Sequence, residues 1–326
     1  MKDKVHLKAV TKDRVKIDIF SNVESFEDIE LSTKNFADGV GLFRSEYIFL
    51  KEKKFPVMEK QFKIYQEMAR KLKNKPFTIR LFDIGADKNY FFTDNERERF
   101  KIFSNYFEIN PVLGCRAIRF LMKNEKILED QIEAILRASV YGDVRILIPF
   151  VCDISEVRYV KQKLKKIRKR LVEEGVKIKK EIPLGIMVEV PAAAIMIDEF
   201  MREVDFCSIG TNDLMQCLMA ADRGNPDTSH LLEFIHPSFF RILSKVIKES
   251  KLHKKPLSIC GEMAADPRFT KVFIGSGIKQ MSMAPRHIPI IKEVIRNMDI
   301  EVARYEVKKA FGSYDSAELN EFILKN

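Results

Sequence analysis

The stretch that most constrains this chain is residues 183–225, PLGIMVEVPAAAIMIDEFMREVDFCSIGTNDLMQCLMAADRGN, where two apolar runs each end in polar, oxygen-bearing side chains. The runs, 184–190 and 206–209, are too short to span a membrane and suit buried strands. Glu189 closes the first run, and TND at 211–213 follows the second. An unpaired carboxylate is costly inside a buried strand, but at the strand's carboxyl end it can face a site.

Two carboxylates on neighbouring strand ends indicate a Mg²⁺ site. Mg²⁺ binds a few carboxylates and completes its coordination with waters and substrate oxygens, so Glu189 and Asp213 are the candidate ligands. Arg223, one helix after Asp213, could reach the same pocket. The alternative is that both acids cap helices, because anionic side chains suit helix N-termini. The acids alone leave both interpretations open.

Composition bounds the class of protein. A length of 326 residues suits one large domain or two ordinary ones, and a hydrophobic fraction of 46% permits a sizeable core. The five cysteines contain no CxxC spacing, which argues against a zinc site and against a disulfide framework. The first ten residues, MKDKVHLKAV, lack the apolar region of a signal peptide, so we expect a cytoplasmic protein with no membrane span.

The net charge of +10 fits either nucleic acid or an anionic small molecule as the partner. Lysines are spread along the whole chain, tryptophan is absent, and no RNA- or DNA-binding motif occurs. Solvated lysine-rich helix faces explain most of the charge. We therefore expect no nucleic-acid partner.

Strand and helix patterns alternate regularly from residue 15 onward. The predicted strands are 15–20, 40–44, 77–84, 144–151, 184–190, 206–209, 256–261 and 280–283. The predicted helices are 26–36, 59–72, 114–122, 125–140, 155–174, 236–251, 266–275 and 289–297, with one or two more in 301–326. Ser155 is the predicted N-cap of its helix. That helix could form a coiled coil or a basic interaction surface, but a barrel helix with a wet outer face is favoured.

Eight strands alternating with helices predict an α/β fold, a (β/α)₈ TIM barrel, with a doubly wound open sheet as the alternative. The barrel is preferred because polar residues collect where the predicted strands end, which is the catalytic face of such barrels. These residues are Arg44, Arg80, Asp83, Glu189, Asp213 and Cys260.

The residue types predict a substrate with several negative charges. Arginine forks bind carboxylate and phosphate groups, and the candidates are Arg44, Arg80, Arg116 and Arg223. Each alone is more often a surface residue, although Arg44 and Arg80 adjoin apolar strands. Cys260 is either a structural cysteine or a proton donor or acceptor near the substrate, without an adjacent histidine for a protease-like dyad.

Seven strings, in order, resemble the C-terminal phosphoenolpyruvate-binding domain of Enzyme I, the phosphoenolpyruvate–protein phosphotransferase family of the bacterial sugar phosphotransferase system. They are GVGLFRSEYIF, TIRLFDIGADK, NPVLGCRAIRF, IMVEVPAAA, DFCSIGTNDLMQ with AADRGN, ICGEMAADPR and SMAPRHIPIIKEVIRN. The likeness runs from about Ala9 to the end of the chain. Pyruvate phosphate dikinase and phosphoenolpyruvate synthase share the barrel and several motifs.

The resemblance implies a role for each matching residue. Arg44 and Arg80 match arginines that hold the phosphate and carboxylate ends of phosphoenolpyruvate, and Arg116 matches another near the phosphoryl group. Asn212 and Arg223 match further substrate contacts.

The remaining matches concern the metal and the proton. Glu189 and Asp213 match the Mg²⁺ ligands, and Asp213 is also a substrate contact. Cys260 matches the acid that protonates C3 of pyruvate enolate, and a thiol with a pKa near neutral could supply that proton. Lys88 and Asp83 lie in the same family string as Arg80, with less defined roles.

The resemblance also implies partners. We expect 1–326 to be a single barrel domain with C-terminal helices, without the N-terminal phosphohistidine and HPr-binding domains. None of the five histidines lies in a context like the acceptor's. The expected reaction is Mg²⁺-dependent phosphoryl transfer from phosphoenolpyruvate to a histidine on an Enzyme I N-terminal half, which phosphorylates HPr for sugar transport, with release of pyruvate.

Several features stay open. A homodimer is expected, with helices beside strands two and three, or the insertion at 89–109, at its interface. Ala86 stands where the family has glycine, Cys115 where it has tryptophan, and Met215 where it has threonine. The alternatives are a non-catalytic metabolite-sensing module and the C-terminal domain of an enzyme like pyruvate phosphate dikinase.

Overall fold

Eight parallel strands close into a barrel in chain order in this computed structural model. The strands are β1 (Asp18–Val23), β2 (Gly39–Arg44), β3 (Pro76–Arg80), β4 (Asp143–Ile148), β5 (Leu184–Val188), β6 (Phe206–Gly210), β7 (Leu257–Cys260) and β8 (Gln280–Met283). Pairing of β8 with β1 closes the sheet. The predicted (β/α)₈ barrel is confirmed, and the open-sheet alternative is wrong because the first and last strands are hydrogen-bonded to each other.

The structure describes residues 4–48, 55–85, 110–232, 236–310, 312 and 316–325. The helices are α1 (Phe26–Lys34), α2 (Met58–Leu72), α3 (Ile118–Lys123), α4 (Glu125–Ala138), α5 (Ile154–Glu173), α6 (Pro191–Ile195), α7 (Ile197–Glu203), α8 (Thr211–Met219), α9 (Pro226–Ser229), α10 (Pro237–Leu252), α11 (Pro267–Ser276), α12 (Ile288–Asn297), α13 (Ile300–Ala310) and α14 (Ser316–Lys325). Within those residues, no helix is both long and apolar enough to cross a membrane.

Several predicted strand boundaries are wrong; β4, for example, ends at Ile148 and not at residue 151. The errors at β1 and β3 have identifiable causes. β1 begins at Asp18, not at residue 15, because Val15 belongs to a tight turn closed on Thr11. The Thr11 N–H donates to the Val15 carbonyl, and the Val15 N–H donates to Thr11 Oγ1, both at 3.0 Å. β3 ends at Arg80, so Asp83, predicted to lie within that strand, is in the loop beyond it. The loop position frees both Asp83 oxygens to pair with side chains of the neighbouring segment.

The N-cap of α5 is Asp153, not the predicted Ser155. The Asp153 carboxylate accepts a hydrogen bond from the backbone N–H of Ser155 at 2.7 Å. Glu156 closes a capping box by accepting from the Asp153 N–H at 3.0 Å. Acceptors at both positions satisfy the unpaired donors of the first turn, which explains why the helix starts one residue earlier.

The barrel interior has its own small apolar cluster, separate from the larger core between the strands and the helices. Its members are Leu42, Leu147, Met187, Phe206 and Cys260. Four of them come from strands that end in predicted site residues, β2, β5, β6 and β7. The cluster fills the barrel beneath its carboxyl end, so a cavity there has a closed apolar floor.

One lysine is buried between the first and last parts of the barrel. Lys292, on α12, is 2% exposed, and its Nζ donates to the carbonyl oxygens of Phe36 at 2.7 Å and Val5 at 3.1 Å. Burial lowers the pKa of Lys292 to about 8, with Asp38 opposing the shift. The amine therefore donates hydrogen bonds to buried carbonyls near the end of α1, but it loses its proton at a lower pH than an exposed lysine does.

We expect a pH-dependent difference in stability between the parent chain and Lys292→Met. From about pH 8 to about pH 10.5 the unfolded chain keeps the lysine proton while the folded chain has released it. The free energy of unfolding of the parent chain should rise relative to that of Lys292→Met across this window. Urea unfolding at several pH values measures it, with the exposed Lys165→Met as control. A pH-independent difference between parent and variant would contradict the prediction.

Candidate active site

All the predicted site residues line a single cavity of about 610 Å³ at the carboxyl ends of the strands. They are Arg44, Arg80, Arg116, Glu189, Asn212, Asp213, Arg223 and Cys260. Parallel strands direct their carboxyl ends to one rim, so residues far apart in sequence converge there. The two acids lie at the same end of their strands, as the predicted metal site requires.

Arg80 is held in the wall of this cavity by two acids. It is 5% exposed, its Nη2 donates to the fully buried Glu46, and its Nη1 lies 3.2 Å from Asp83 Oδ2. Burial opposes the charged form, but Glu46 and Asp83 outweigh it and raise the pKa of Arg80. The Nε of Arg80 is buried without a hydrogen-bond partner in the described part of the chain.

A buried polar network also fixes the backbone of Arg80. The Arg80 carbonyl accepts from Ser45 Oγ at 2.6 Å, and Ser45 Oγ accepts from Gln131 Nε2 at 2.9 Å. Gln131 Oε1 in turn accepts from the Phe82 N–H at 2.9 Å. Helix α4, which carries Gln131, thereby ties the segment after β3 to the barrel.

Arg116 lies beside Arg80, and both arginines pair with Asp83. Its Nε and Nη2 donate to the two oxygens of Asp83 at 3.1 and 2.7 Å, a bidentate pair that fixes the guanidinium plane. Its Nη1 lies 3.6 Å from Asp213 Oδ1, and its guanidinium carbon lies 4.6 Å from the centre of the Phe150 ring. Burial opposes the charge, but Asp83 and Asp213 outweigh it and raise the pKa of Arg116.

Arg44 and Arg223 are more exposed than the other two predicted arginines of the cavity. The Arg44 side chain is 38% exposed and pairs with Glu24 at 2.6 Å and with Glu46 at 3.4 Å. The Arg223 side chain is 55% exposed, and its Nη2 lies 4.0 Å from Asp213 Oδ1. Both guanidiniums are therefore open to solvent, whereas Arg80 and Arg116 are buried and held by acids.

Glu189 is buried where β5 ends, and a strained residue supplies its hydrogen bond. Glu189 Oε1 accepts from the Phe150 N–H at 2.6 Å. Phe150 has φ +55°, a left-handed conformation that a bulky residue rarely adopts. Such strain persists only where the surroundings impose it. It aims the Phe150 N–H at Glu189 and the Phe150 ring at Arg116.

The Glu189 carboxylate also lies close to the start of α8. A Cβ on Gly210 would come within 2.7 Å of Glu189 Oε2, so glycine is needed there for the carboxylate to fit. Burial first, and then the Asp213 carboxylate, raise the pKa of Glu189 to about 8. Two buried acids near each other destabilise each other's charge, which a bound cation would relieve.

Asp213 and Asn212 lie in the first turn of α8. Neither Glu189 nor Asp213 caps the helix it adjoins, because neither α6 nor α8 has a side-chain cap hydrogen bond. Asp213 Oδ1 is buried without a hydrogen-bond partner among the described residues. Asn212 Oδ1 accepts from the Glu262 N–H at 3.1 Å, which connects the β6 and β7 loops.

Cys260 ends β7 with its thiol inside the cavity. The residue is 2% exposed; Sγ donates to the Ile209 carbonyl at 3.3 Å and accepts from Ser208 Oγ at 3.5 Å. Burial raises the pKa of Cys260 to about 11, while the Ser208 hydroxyl lowers it slightly. The raised pKa of Cys260 departs from the near-neutral thiol that would supply a proton most readily. The thiol is protonated at neutral pH.

Sequence reasoning missed two residues that organise the site, Glu46 and Phe150. Glu46 stands in the string GVGLFRSEYIF, two residues after Arg44, and a carboxylate so close to an apolar strand was the available signal. Phe150 gave no signal, since its backbone angle follows from packing. The predictions for Ala86, Lys88 and the insertion at 89–109 lie outside the described residues.

Glu189 and Asp213 fit a Mg²⁺ site in which the protein supplies only a few of the ligands. Among the described residues, no group of three or more His, Cys, Asp or Glu side chains is placed to hold a metal. Mg²⁺ needs only one or two carboxylates, since waters and substrate oxygens fill its other positions. Asp213 Oδ1 accepts no hydrogen bond among the described residues, and the pKa of Glu189 is raised, so both acids suit a bound cation.

The sequence matches one family model and several curated proteins. Residues 1–300 match the family model described as "PEP-utilising enzyme, PEP-binding domain". The phosphoenolpyruvate-protein phosphotransferase of Buchnera aphidicola subsp. Schizaphis graminum is 39% identical over 98% of this chain and 55% of its own length. That of Haemophilus influenzae is 36% identical over the same shares. The chain therefore spans about half the length of the curated relatives it matches.

Two solved structures share the fold alone. A citrate lyase from Burkholderia xenovorans LB400 aligns with a TM-score of 0.54 at 14% identity, over 95% of this chain and 91% of that one. A malate synthase from Haloferax volcanii aligns with a TM-score of 0.53 at 9% identity, over 85% of this chain and 72% of that one. At such identities the likeness concerns the barrel and not its chemistry.

Proposed function

Since this chain belongs to the PEP-binding domain family of PEP-utilising enzymes, we propose that it is the phosphoenolpyruvate-binding, phosphoryl-donor half of a phosphoenolpyruvate–protein phosphotransferase. The observation that carries the proposal is the convergence of the four predicted arginines, the predicted metal ligands Glu189 and Asp213, and the Cys260 thiol on one cavity. The proposed acceptor is a histidine on an Enzyme I N-terminal half, which passes the phosphoryl group to HPr. We further propose a homodimer that acts in the cytoplasm in sugar transport.

In the proposed mechanism, the chain's first task is to hold a trianion in a fixed orientation. Arg80 and Arg116 offer guanidiniums whose planes are set by Glu46 and Asp83, so little rearrangement is needed when the ligand binds. Arg44 and Arg223 approach from the exposed side of the cavity. Together they neutralise the charge on the phosphoryl and carboxylate oxygens, which is the main catalytic contribution to phosphoryl transfer.

Glu189 and Asp213 would hold a Mg²⁺ ion, which when bound would supply further charge neutralisation. The bond between phosphorus and the enol oxygen breaks as the acceptor nitrogen bonds to phosphorus. The enolate left behind takes the Cys260 proton at C3 and becomes pyruvate. The thiol, protonated at neutral pH because of its raised pKa, regains its proton from solvent.

Titration calorimetry with phosphoenolpyruvate tests this proposal on the chain as it stands. We expect binding in the presence of Mg²⁺ and its loss with EDTA. We also expect Arg223→Ala to weaken binding by about 10- to 100-fold, because one charged hydrogen-bond donor is lost. The Arg223 side chain is 55% exposed, so the variant should fold normally.

Arg268→Ala is the matched control. Its side chain is 56% exposed and pairs with Asp266 outside the cavity, so the same charge is removed elsewhere. Equal weakening in both variants would point to general electrostatic attraction. No binding by the parent chain would overturn the function itself. Adding a purified N-terminal half then separates a phosphoryl donor, which yields phosphohistidine, from a module that only senses the metabolite.

A further inference from the structure

Asn22 brings β1 into the cavity, although sequence analysis assigned no site residue to that strand. It is near the carboxyl end of β1 and lines the cavity beside Leu42 and Arg44. The pairing of β1 with β2 skips a residue here, since Ser21 pairs with Val40 and Asn22 with Leu42. A bulge of this kind next to a site re-aims the side chains around it.

The skipped residue is Gly41, and only glycine fits at that position. A Cβ there would come within 2.5 Å of Ser282 Oγ on β8. The missing Cβ leaves room for Ser282, which pairs with Phe20 on the adjacent strand β1 and lies diagonally opposite Asn22. Ser282 Oγ donates to Asn22 Oδ1 at 2.5 Å. Ser282 is 1% exposed, so water does not compete for this bond.

The bond with Ser282 determines what Asn22 can offer a ligand. Its Oδ1 is occupied, so the amide turns its Nδ2 hydrogens away from β8. The described residues include no hydrogen-bond partner for those hydrogens, and Asn22 lines the cavity. The result is a neutral, oriented donor close to Arg44. Glu24 and Asp28 already place negative charge on this side of the cavity.

We propose that Asn22 is a substrate-binding residue whose Nδ2 donates a hydrogen bond to an anionic oxygen of phosphoenolpyruvate. The inference rests on the proposed function, since it names a further contact to the same ligand. A neutral donor adds directionality without adding another cation. Ser282 is the residue that positions it, acting through the Asn22 amide.

Calorimetry with phosphoenolpyruvate and Mg²⁺ tests the inference on Asn22→Ala. We expect binding to weaken by about 10- to 100-fold, since a hydrogen bond to a charged group is lost. The matched control is Asn35→Ala. Asn35 also donates its amide within this side of the barrel, to the Pro285 carbonyl at 2.8 Å, but does not line the cavity. The control should bind like the parent chain.

The variant Asn22→Asp distinguishes the loss of a substrate contact from a loss of local structure. An aspartate has the same shape and still accepts from Ser282, but it presents an acceptor to the anion in place of a donor. We expect it to fold like the parent and to bind more weakly than Asn22→Ala. Ser282→Ala should bind less well than the parent but better than Asn22→Ala, because the donor remains and only its orientation is lost.

Competition by pyruvate and by inorganic phosphate identifies the anionic oxygen. If Asn22→Ala weakens pyruvate binding as well, the contact is to the carboxylate; if only phosphoenolpyruvate and phosphate are affected, it is to the phosphoryl group. If the parent chain binds phosphoenolpyruvate and both Asn22 variants bind it with an affinity within about two-fold of the parent's, the inference is overturned. A parent that binds no phosphoenolpyruvate would instead overturn the proposed function.

Discussion

Arg80→Met should lower the free energy of unfolding by about 3–5 kcal/mol and abolish phosphoenolpyruvate binding. The loss of stability follows from what the arginine leaves behind. Glu46 is fully buried and would keep Arg44, at 3.4 Å. Asp83 is 3% exposed and would keep Arg116. Both carboxylates would therefore be less well neutralised in a medium that solvates charge poorly. The loss of binding follows from the missing guanidinium.

Urea unfolding and calorimetry measure the two effects separately. The double variant Arg80→Met, Glu46→Leu also removes the buried carboxylate that Arg80 neutralises. Its free energy of unfolding should therefore recover in part, while its phosphoenolpyruvate binding should not. Asp83 keeps its bidentate pair with Arg116 in both variants. If Arg80→Met alone were as stable as the parent chain, Glu46 and Asp83 would have to be neutral or solvated. That result would contradict the raised pKa of Arg80.

Glu189→Gln should have opposite effects on stability and on binding. Without metal, the parent chain buries a carboxyl group whose pKa is raised to about 8 by burial and by Asp213. Glutamine keeps the shape and the acceptor for the Phe150 N–H, and carries no charge. We expect the variant to be more stable by on the order of 2 kcal/mol in EDTA. Mg²⁺-dependent binding of phosphoenolpyruvate should fall below detection.

The matched control is Glu156→Gln. Glu156 is also buried, 7% exposed, but it closes the capping box of α5 away from the cavity, and glutamine can play the same part. This variant should leave both stability and binding close to those of the parent. If Glu189→Gln destabilised the chain, or bound phosphoenolpyruvate normally with Mg²⁺, Glu189 would not be the metal ligand that the proposal requires.

The barrel was predictable because its signals are local. An apolar run of strand length followed by a polar residue identifies both the strand and the rim to which it points, as at Val188 and Glu189. Predicting which residues lie at this rim requires only the positions where the strands end, since all parallel strands end on the same side of the barrel. Hence Arg44, Asp213 and Cys260 meet in one cavity, although they lie far apart in sequence.

What the sequence could not supply depends on register and packing between strands. Arg44 pairs with Arg80 in the sheet, which places Glu46 against a guanidinium of the next strand. The left-handed backbone of Phe150 and the burial of the Cys260 thiol likewise arise only once neighbouring elements are in place. At α5, both Asp153 and Ser155 can cap a helix, and Glu156 decided between them by completing a capping box.

The closure of the barrel has a consequence for synthesis on the ribosome. Asn22 and Ser282 are 260 residues apart, and β1 finds its second neighbour only when β8 arrives. The nascent chain therefore has an exposed first strand, and an incomplete rim, until nearly all of the barrel has left the exit tunnel. A ligand that needs the whole rim can therefore stabilise only the nearly complete barrel, and not its early folding stages.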